Sequence, residues 1–139
     1  MKTDQDKTKP MLLLVEDDAE IREQMKWGLA SDYTVVEAHD RSTAVALVKQ
    51  AHPALVTLDL GLPPHPDDPT EGLAALDELL AIEPLTKVIV ITGNGEHKIA
   101  LDAIQRGAYD YLQKPVQLES LRVILQRSDY LAKLERENC

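Results

Sequence analysis

Hydrophobic positions along this chain of 139 residues fall into two alternating patterns. Short unbroken apolar runs mark strands buried on both faces, and stretches with apolar positions three or four residues apart mark the helices that cover them. Met11–Val15 is the first run. Asp17 and Asp18 follow as candidate helix N-caps, with Glu20 three residues after Asp17 as in a capping box, and then Ile21, Met25 and Leu29 share one helical face. Thr34–Glu37 predicts a second strand, Ser42–Ala51 a second helix and Leu55–Leu58 a third strand ending at Asp59. Leu73–Ile82 predicts a helix, and Lys87–Thr92 a strand made largely of β-branched residues. Lys98–Arg106 predicts a helix closed by Gly107 at the C′ position, Ala108–Leu112 a fifth strand, and Gln117–Arg136 a long last helix. The segment GLPPHPDDPTEG holds four of the eight prolines, which excludes helix and central strand there. Five strands, each followed by a helix, imply a parallel sheet with right-handed crossovers and hence a doubly wound three-layer α/β sandwich.

Composition narrows the chemistry. With 44% apolar and 28% charged residues the chain can bury one core, and because it has no Phe that core must be aliphatic. Its 24 acids against 15 bases leave a net charge of −9, and residues 10–112 carry 18 of the acids with 7 bases. No run of five basic residues offers a phosphate-binding stripe, so direct nucleic-acid binding is not expected. Cys139 is the single cysteine, which rules out an intrachain disulfide and a thiolate metal cluster and fits a reducing, cytoplasmic setting. Neither a signal peptide nor an apolar run of the ~18 residues needed to span a bilayer is indicated.

In doubly wound sheets, ligands bind beyond the carboxyl ends of the strands. Those ends carry Glu16 and Asp17, Asp59 and Thr92, and Lys114 follows the fifth strand. Neither GxGxxG nor GxxxxGK[ST] occurs, so dinucleotide and P-loop readings lose their support. Three crowded carboxylates call for a cation, and an all-oxygen set suits a hard ion such as Mg2+. With a lysine and a threonine to hold phosphoryl oxygens, one carboxylate can act as a nucleophile towards phosphorus, and Asp59 is the best candidate. Taken singly, the acid pair also suits helix capping, Thr92 an ordinary strand position, Lys114 a solvated charge and Tyr111 a half-buried core aromatic. His39, His52, His65 and His97 show no metal-ligand spacing. Trp27 is expected to pack on the first helix.

Four motifs in order, LLLVEDD, TLDLGLP, VIVITG and GAYDYLQKP, resemble the receiver domain of two-component response regulators over roughly residues 11–127. The resemblance implies a flavodoxin-like (βα)5 fold with strand order 2-1-3-4-5. It implies that Asp59 accepts a phosphoryl group from a sensor histidine kinase. Mg2+ would be held by Asp17 and Asp59, by Glu16 through water, and by the Gly61 backbone carbonyl, while Lys114 binds the phosphoryl group and Asp59. Thr92 and Tyr111 would form the switch that alters the face made by the fourth helix, fifth strand and fifth helix. It also implies a cis peptide before Pro115. Two features depart from common receivers: a longer loop after Asp59, with Asp67, Asp68 and Glu71 near the site, and Gly93 after the switch threonine where Ala is usual. The motifs look most like receivers of PEP-CTERM-box regulators, within the nitrogen-regulator class of sigma-54-dependent activators.

Residues 1–10 are expected to form a disordered extension, 11–127 the receiver, and 128–139 a helical linker in which Leu131 and Leu134 continue the apolar pattern at coiled-coil spacing. On that reading the chain is part of a longer activator with ATPase and DNA-binding output domains. It would form homodimers through the fourth-helix, fifth-strand and fifth-helix face or through the last helix. Two other classes compete: an aspartyl-phosphate hydrolase of related fold, and a phosphorylation-independent pseudo-receiver. Such hydrolases usually carry a second carboxylate two residues past the nucleophile, where this chain has Gly61, and the full set of site residues disfavours the pseudo-receiver.

Overall fold

The computed structural model describes residues 9–64, 68–93 and 96–137. The expectations for residues 1–8, His65, Asp67 and Cys139 lie outside the described residues. Strands and helices alternate as β1 (Met11–Val15), α1 (Ala19–Leu29), β2 (Thr34–Ala38), α2 (Arg41–Ala51), β3 (Leu55–Asp59), α3 (Thr70–Ile82), β4 (Lys87–Thr92), α4 (His97–Arg106), β5 (Asp110–Gln113) and α5 (Leu118–Glu137). All strand pairs are parallel and the sheet order is β2-β1-β3-β4-β5, the flavodoxin-like arrangement.

Successive side chains along a strand point to opposite faces, and here both faces are covered. Leu13, Val15, Val56, Leu58, Val88 and Val90 pack with apolar residues of α2, α3 and α4. Leu12, Leu14, Leu55, Ile89 and Ile91 pack with Met25 and Leu29 of α1 and with Leu121, Ile124 and Leu125 of α5. Each large aliphatic side chain so buried contributes about 1.5–3 kcal/mol. The central strands are therefore held from two sides, and the residues at their carboxyl ends stand on the stiffest part of the molecule.

Element ends depart from the sequence reading where local hydrogen bonds decide them. Asp18, not Asp17, caps α1: its Oδ1 accepts from the Glu20 and Ile21 amides at 2.9 and 3.2 Å. Asp17 is thereby released from capping. Helix α3 begins three residues earlier than the apolar pattern suggests, because Asp68 Oδ1 accepts from the Thr70 amide at 2.9 Å and Pro69 sits where a missing N–H does no harm. Strand β5 begins two residues later than predicted. Gly107, at φ 117°, ends α4, and the bonds from Gly107 N to Ile104 O and from Ala108 N to Ala103 O occupy those residues in a Schellman turn.

Helix α5 runs unbroken to Glu137. Past residue 127 it still touches the body: Ser128 and Ala132 are buried, and Glu135 Oε1 accepts from Lys87 Nζ at 2.7 Å. Leu134 is exposed, Leu131 only partly. At the other end, Pro10 O accepts from the Thr34 amide. No described helix is long and apolar enough to cross a membrane.

One glycine is fixed by packing. A Cβ on Gly72 would lie 2.3 Å from the Cα and carbonyl oxygen of Leu60, the residue after Asp59. The first turn of α3 therefore lies flush against the backbone that carries Asp59. Gly72→Ala should force the two apart and destabilise the domain by roughly 1–3 kcal/mol, despite alanine's better helix propensity. Urea unfolding checks this, and an unchanged midpoint would contradict the packing.

Candidate functional site

The neighbouring order of β1, β3, β4 and β5 brings four strand ends to one edge. Glu16 and Asp17 follow β1, Asp59 closes β3, Thr92 closes β4 and Lys114 follows β5. Glu16 and Asp59 are only 5% and 3% exposed, while Asp17 stands at the rim. One carboxylate oxygen from each of the three lies within 4.8 Å of the others. Asp59 Oδ2 accepts from Lys114 Nζ at 3.1 Å, and its Oδ1 accepts from the Gly61 amide at 3.0 Å. The Lys114–Pro115 peptide is cis, as expected.

The loop after β1 is pinned from α1. Arg22 Nη1 donates to the Glu16 carbonyl oxygen at 2.7 Å, and its Nε donates to Glu37 at 3.1 Å. The Asp18 amide donates to Glu16 Oε2 at 3.2 Å. Burial pushes the Glu16 carboxyl up to about 8. The charge of Asp59 and a hydrogen bond to it act in the same direction, against the Asp18 amide and Lys114. For Lys114 burial works to lower the value, but Asp59, with Glu16 and Asp17 behind it, outweighs burial and holds the ammonium above its ordinary value. One lysine thus faces three acids.

That donor set fits a hard divalent cation: all the donor atoms are oxygens, and the raised Glu16 carboxyl reflects a crowding of acids that a cation would relieve. Beside it, a cleft of about 240 Å3 is bordered by Asp59, Gly61, Thr92, Gly93 and Lys114, and by Asp68 and Glu96. Thr92 Oγ1 is buried and has no hydrogen-bond partner; Gln113 Nε2 is the other such atom among the described residues. Since buried hydroxyls are rarely left unpaired, a ligand oxygen is the natural partner for Thr92. Tyr111 is half-buried against the core shared by α2, α3 and α4.

The family model described as the response regulator receiver domain matches residues 12–126. The chain belongs to this family. Receiver domains bind Mg2+ at an acidic pocket, and this receiver gathers Glu16, Asp17 and Asp59 in an acidic cluster. The receiver is 31% identical over 127 residues to the regulatory protein AtoC of Escherichia coli, covering 91% of this chain and 26% of that protein. It is 33% identical over 128 residues to the nitrogen assimilation regulatory protein NtrX of Azorhizobium caulinodans, covering 91% and 27%. The crystal structure of the signal receiver domain of a LuxO repressor protein from Vibrio parahaemolyticus superposes with a TM-score of 0.82 at 30% identity, covering 92% of this chain and 95% of that one. The chain spans about a quarter of the length of the first curated relatives it matches.

Glu16, Asp17, Asp59, Gly61, Thr92 and Lys114 converge on this receiver's edge, whereas Tyr111 packs against the neighbouring core. Glu71 also turns away, pairing with Arg41 at 3.6 Å. Trp27 lies on α1, 77% exposed, its indole N–H donating to Glu23. Sequence reasoning missed Arg22, Gly72 and Glu96, whose roles depend on contacts between elements; only the position of Glu96, four residues past Thr92, hinted at the site.

The Glu16 value has a stability consequence. The unfolded chain loses that proton near 4.5 and the folded receiver near 8, so the folded form binds the extra proton between them. Its stabilising contribution is complete below about pH 4.5 and is lost as pH rises through 8. With divalent cations chelated, the melting temperature should fall by several degrees between about pH 5.5 and pH 8.5. Glu16→Gln should flatten that fall and stabilise the protein at the higher pH. Calorimetric melts of the two proteins test this, and parallel pH profiles would contradict it.

Proposed function

We propose that this receiver is a phosphoacceptor switch in a two-component system. In the reaction, an Asp59 oxygen attacks the phosphorus of a phosphohistidine on a sensor kinase. The P–N bond breaks, an aspartyl phosphate forms, and the imidazole leaves with a proton. The observation that carries this reading is the unpaired Thr92 hydroxyl beside the Asp59–Lys114 pair. A phosphoryl oxygen would satisfy the hydroxyl, and Lys114 would neutralise a second.

Asp17, Asp59 and the Gly61 carbonyl would hold Mg2+, with Glu16 through water. The ion, when bound, offsets charge on the transferring group. The remaining contributions are the chain's own. The Gly61 amide orients Asp59, Arg22 fixes the loop bearing Glu16 and Asp17, and Lys114 keeps its charge beside the nucleophile. Thr92, drawn to the phosphoryl group, would vacate space for Tyr111, and the α4–β5–α5 surface would change as a local charge event biases a two-state element.

A groove of about 610 Å3, mostly apolar, runs beside the site between Ile21 and Met25 of α1 and Val116 and Leu118 at the start of α5. It supports docking of a kinase helix next to Asp59. The likeness to AtoC and NtrX supports the sigma-54-type output with ATPase and DNA-binding domains. The PEP-CTERM-box branch, a cytoplasmic setting, and homodimers through the α4–β5–α5 face or the exposed side of α5 complete the proposal. So do the boundaries at residues 10 and 127. We infer a signalling domain that assists its own phosphorylation and dephosphorylation, with no external metabolite as substrate.

Beryllofluoride with Mg2+ mimics the phosphoryl group. Calorimetric titration should give a saturable signal in the wild type, none in Asp59→Asn, and at least about tenfold weaker Mg2+ binding in Asp17→Ala. Equal titrations of wild type and Asp59→Asn would overturn the reading.

A further inference from the structure

The cleft beside Asp59 contains a negative group with no part in the reaction as derived. Glu96 Oε1 accepts from the Gly93 amide at 2.9 Å, so a carboxylate occupies the backbone donor next to Thr92. A Cβ at position 93 would lie 3.0 Å from Glu96 Oε1, so the glycine lets the carboxylate come close without having to shift. Glu96 is also the N-cap residue of α4, yet its side chain makes no cap hydrogen bond, and the first turn of α4 has no acidic residue. The position where an acid best serves a helix N-terminus holds one whose side chain turns away from the helix.

A phosphoryl group on Asp59 brings three acceptor oxygens and about two negative charges into this cleft. The donors facing it are Lys114, the Thr92 hydroxyl and the Gly93 amide, and Glu96 has taken the third. Both groups cannot keep that amide, and their like charges repel in a partly buried space. The N–H groups at the start of α4 offer the displaced carboxylate a second place.

We propose that Glu96 is a positioning residue that occupies the Gly93 amide in the unphosphorylated receiver and is displaced by the phosphoryl group to the N-terminus of α4. The exchange links the chemistry at Asp59 to α4 through one side chain, and it sets the phosphoryl affinity below what the cleft alone would give. This rests on the phosphoacceptor reading of Asp59.

The test is a titration of the whole chain with beryllofluoride and Mg2+, followed by the amide resonances of Gly93 and of the first turn of α4. Glu96→Ala and Glu96→Gln should bind the mimic about three- to tenfold more tightly than wild type, because the competing charge is gone. In the wild type, saturation should move the Lys98 and Ile99 amides as the carboxylate reaches them. In Glu96→Ala, Gly93 should still respond while the Lys98 and Ile99 shifts shrink. A purely structural role for Glu96 would weaken binding or leave it unchanged, and affinities within twofold of wild type in both variants would overturn the proposal. No saturable binding of the mimic by any of the three proteins would instead remove the phosphoacceptor reading and this proposal with it.

Discussion

The arrangement of this receiver depends on holding Glu16, Asp17 and Asp59 together at one sheet edge against their own repulsion. Two of these acids are buried, and a single lysine faces all three. The strain is visible in Glu16, whose carboxyl is pushed up to about 8 by burial and by Asp59. Such a cluster persists only where the surrounding structure is rigid. Here that rigidity comes from β1 and β3, paired over Leu12–Val15 and Leu55–Leu58 and covered on both faces. Arg22 and the close approach of Gly72 to Leu60 then fix the two loops that carry the acids. The core thus stabilises a cluster of acids whose mutual repulsion is unfavourable unless a cation offsets it.

The same edge explains how a local event could reach the surface. Thr92 ends β4, Gly93 follows it, and Glu96 stands at the N-cap of α4 only a few residues later. Tyr111 lies on β5, next to β4, half-buried against the core beneath α4. A charge added at Asp59 therefore meets an unpaired hydroxyl and an occupied amide, both a few residues before α4. Helix α5 belongs to the other layer. It is tied to α1 by Arg122, which donates to the Gly28 carbonyl, and to the base of β4 by the Lys87–Glu135 pair.

Much of this was legible in the sequence, for a physical reason. Strands buried on both faces must be continuously apolar, so MLLLV, LVTL and KVIVIT announced the parallel sheet, and the polar residues ending those runs announced the site. Element ends were less legible, because caps depend on single hydrogen bonds. Asp17 and Asp18 are equally good caps by composition, and only the fold shows that Asp18 serves α1 while Asp17 joins the cluster. Asp68 and Glu71 were both expected near the site from their place in the loop after Asp59, yet Glu71 pairs with Arg41 and Asp68 borders the cleft. The downstream boundary followed the extent of the family resemblance, and the contacts of Ala132 and Glu135 with the body depend on packing between elements that no local pattern carries.

The central claim, that Asp59 is the phosphoacceptor, is tested most directly by locating the covalent bond. After incubation with acetyl phosphate and Mg2+, borohydride reduction converts an aspartyl phosphate to homoserine, which peptide mass spectrometry assigns to one residue. Homoserine is expected at position 59 alone. Homoserine at Asp17 or another acid with Asp59 intact, or no reduction product anywhere, would contradict it.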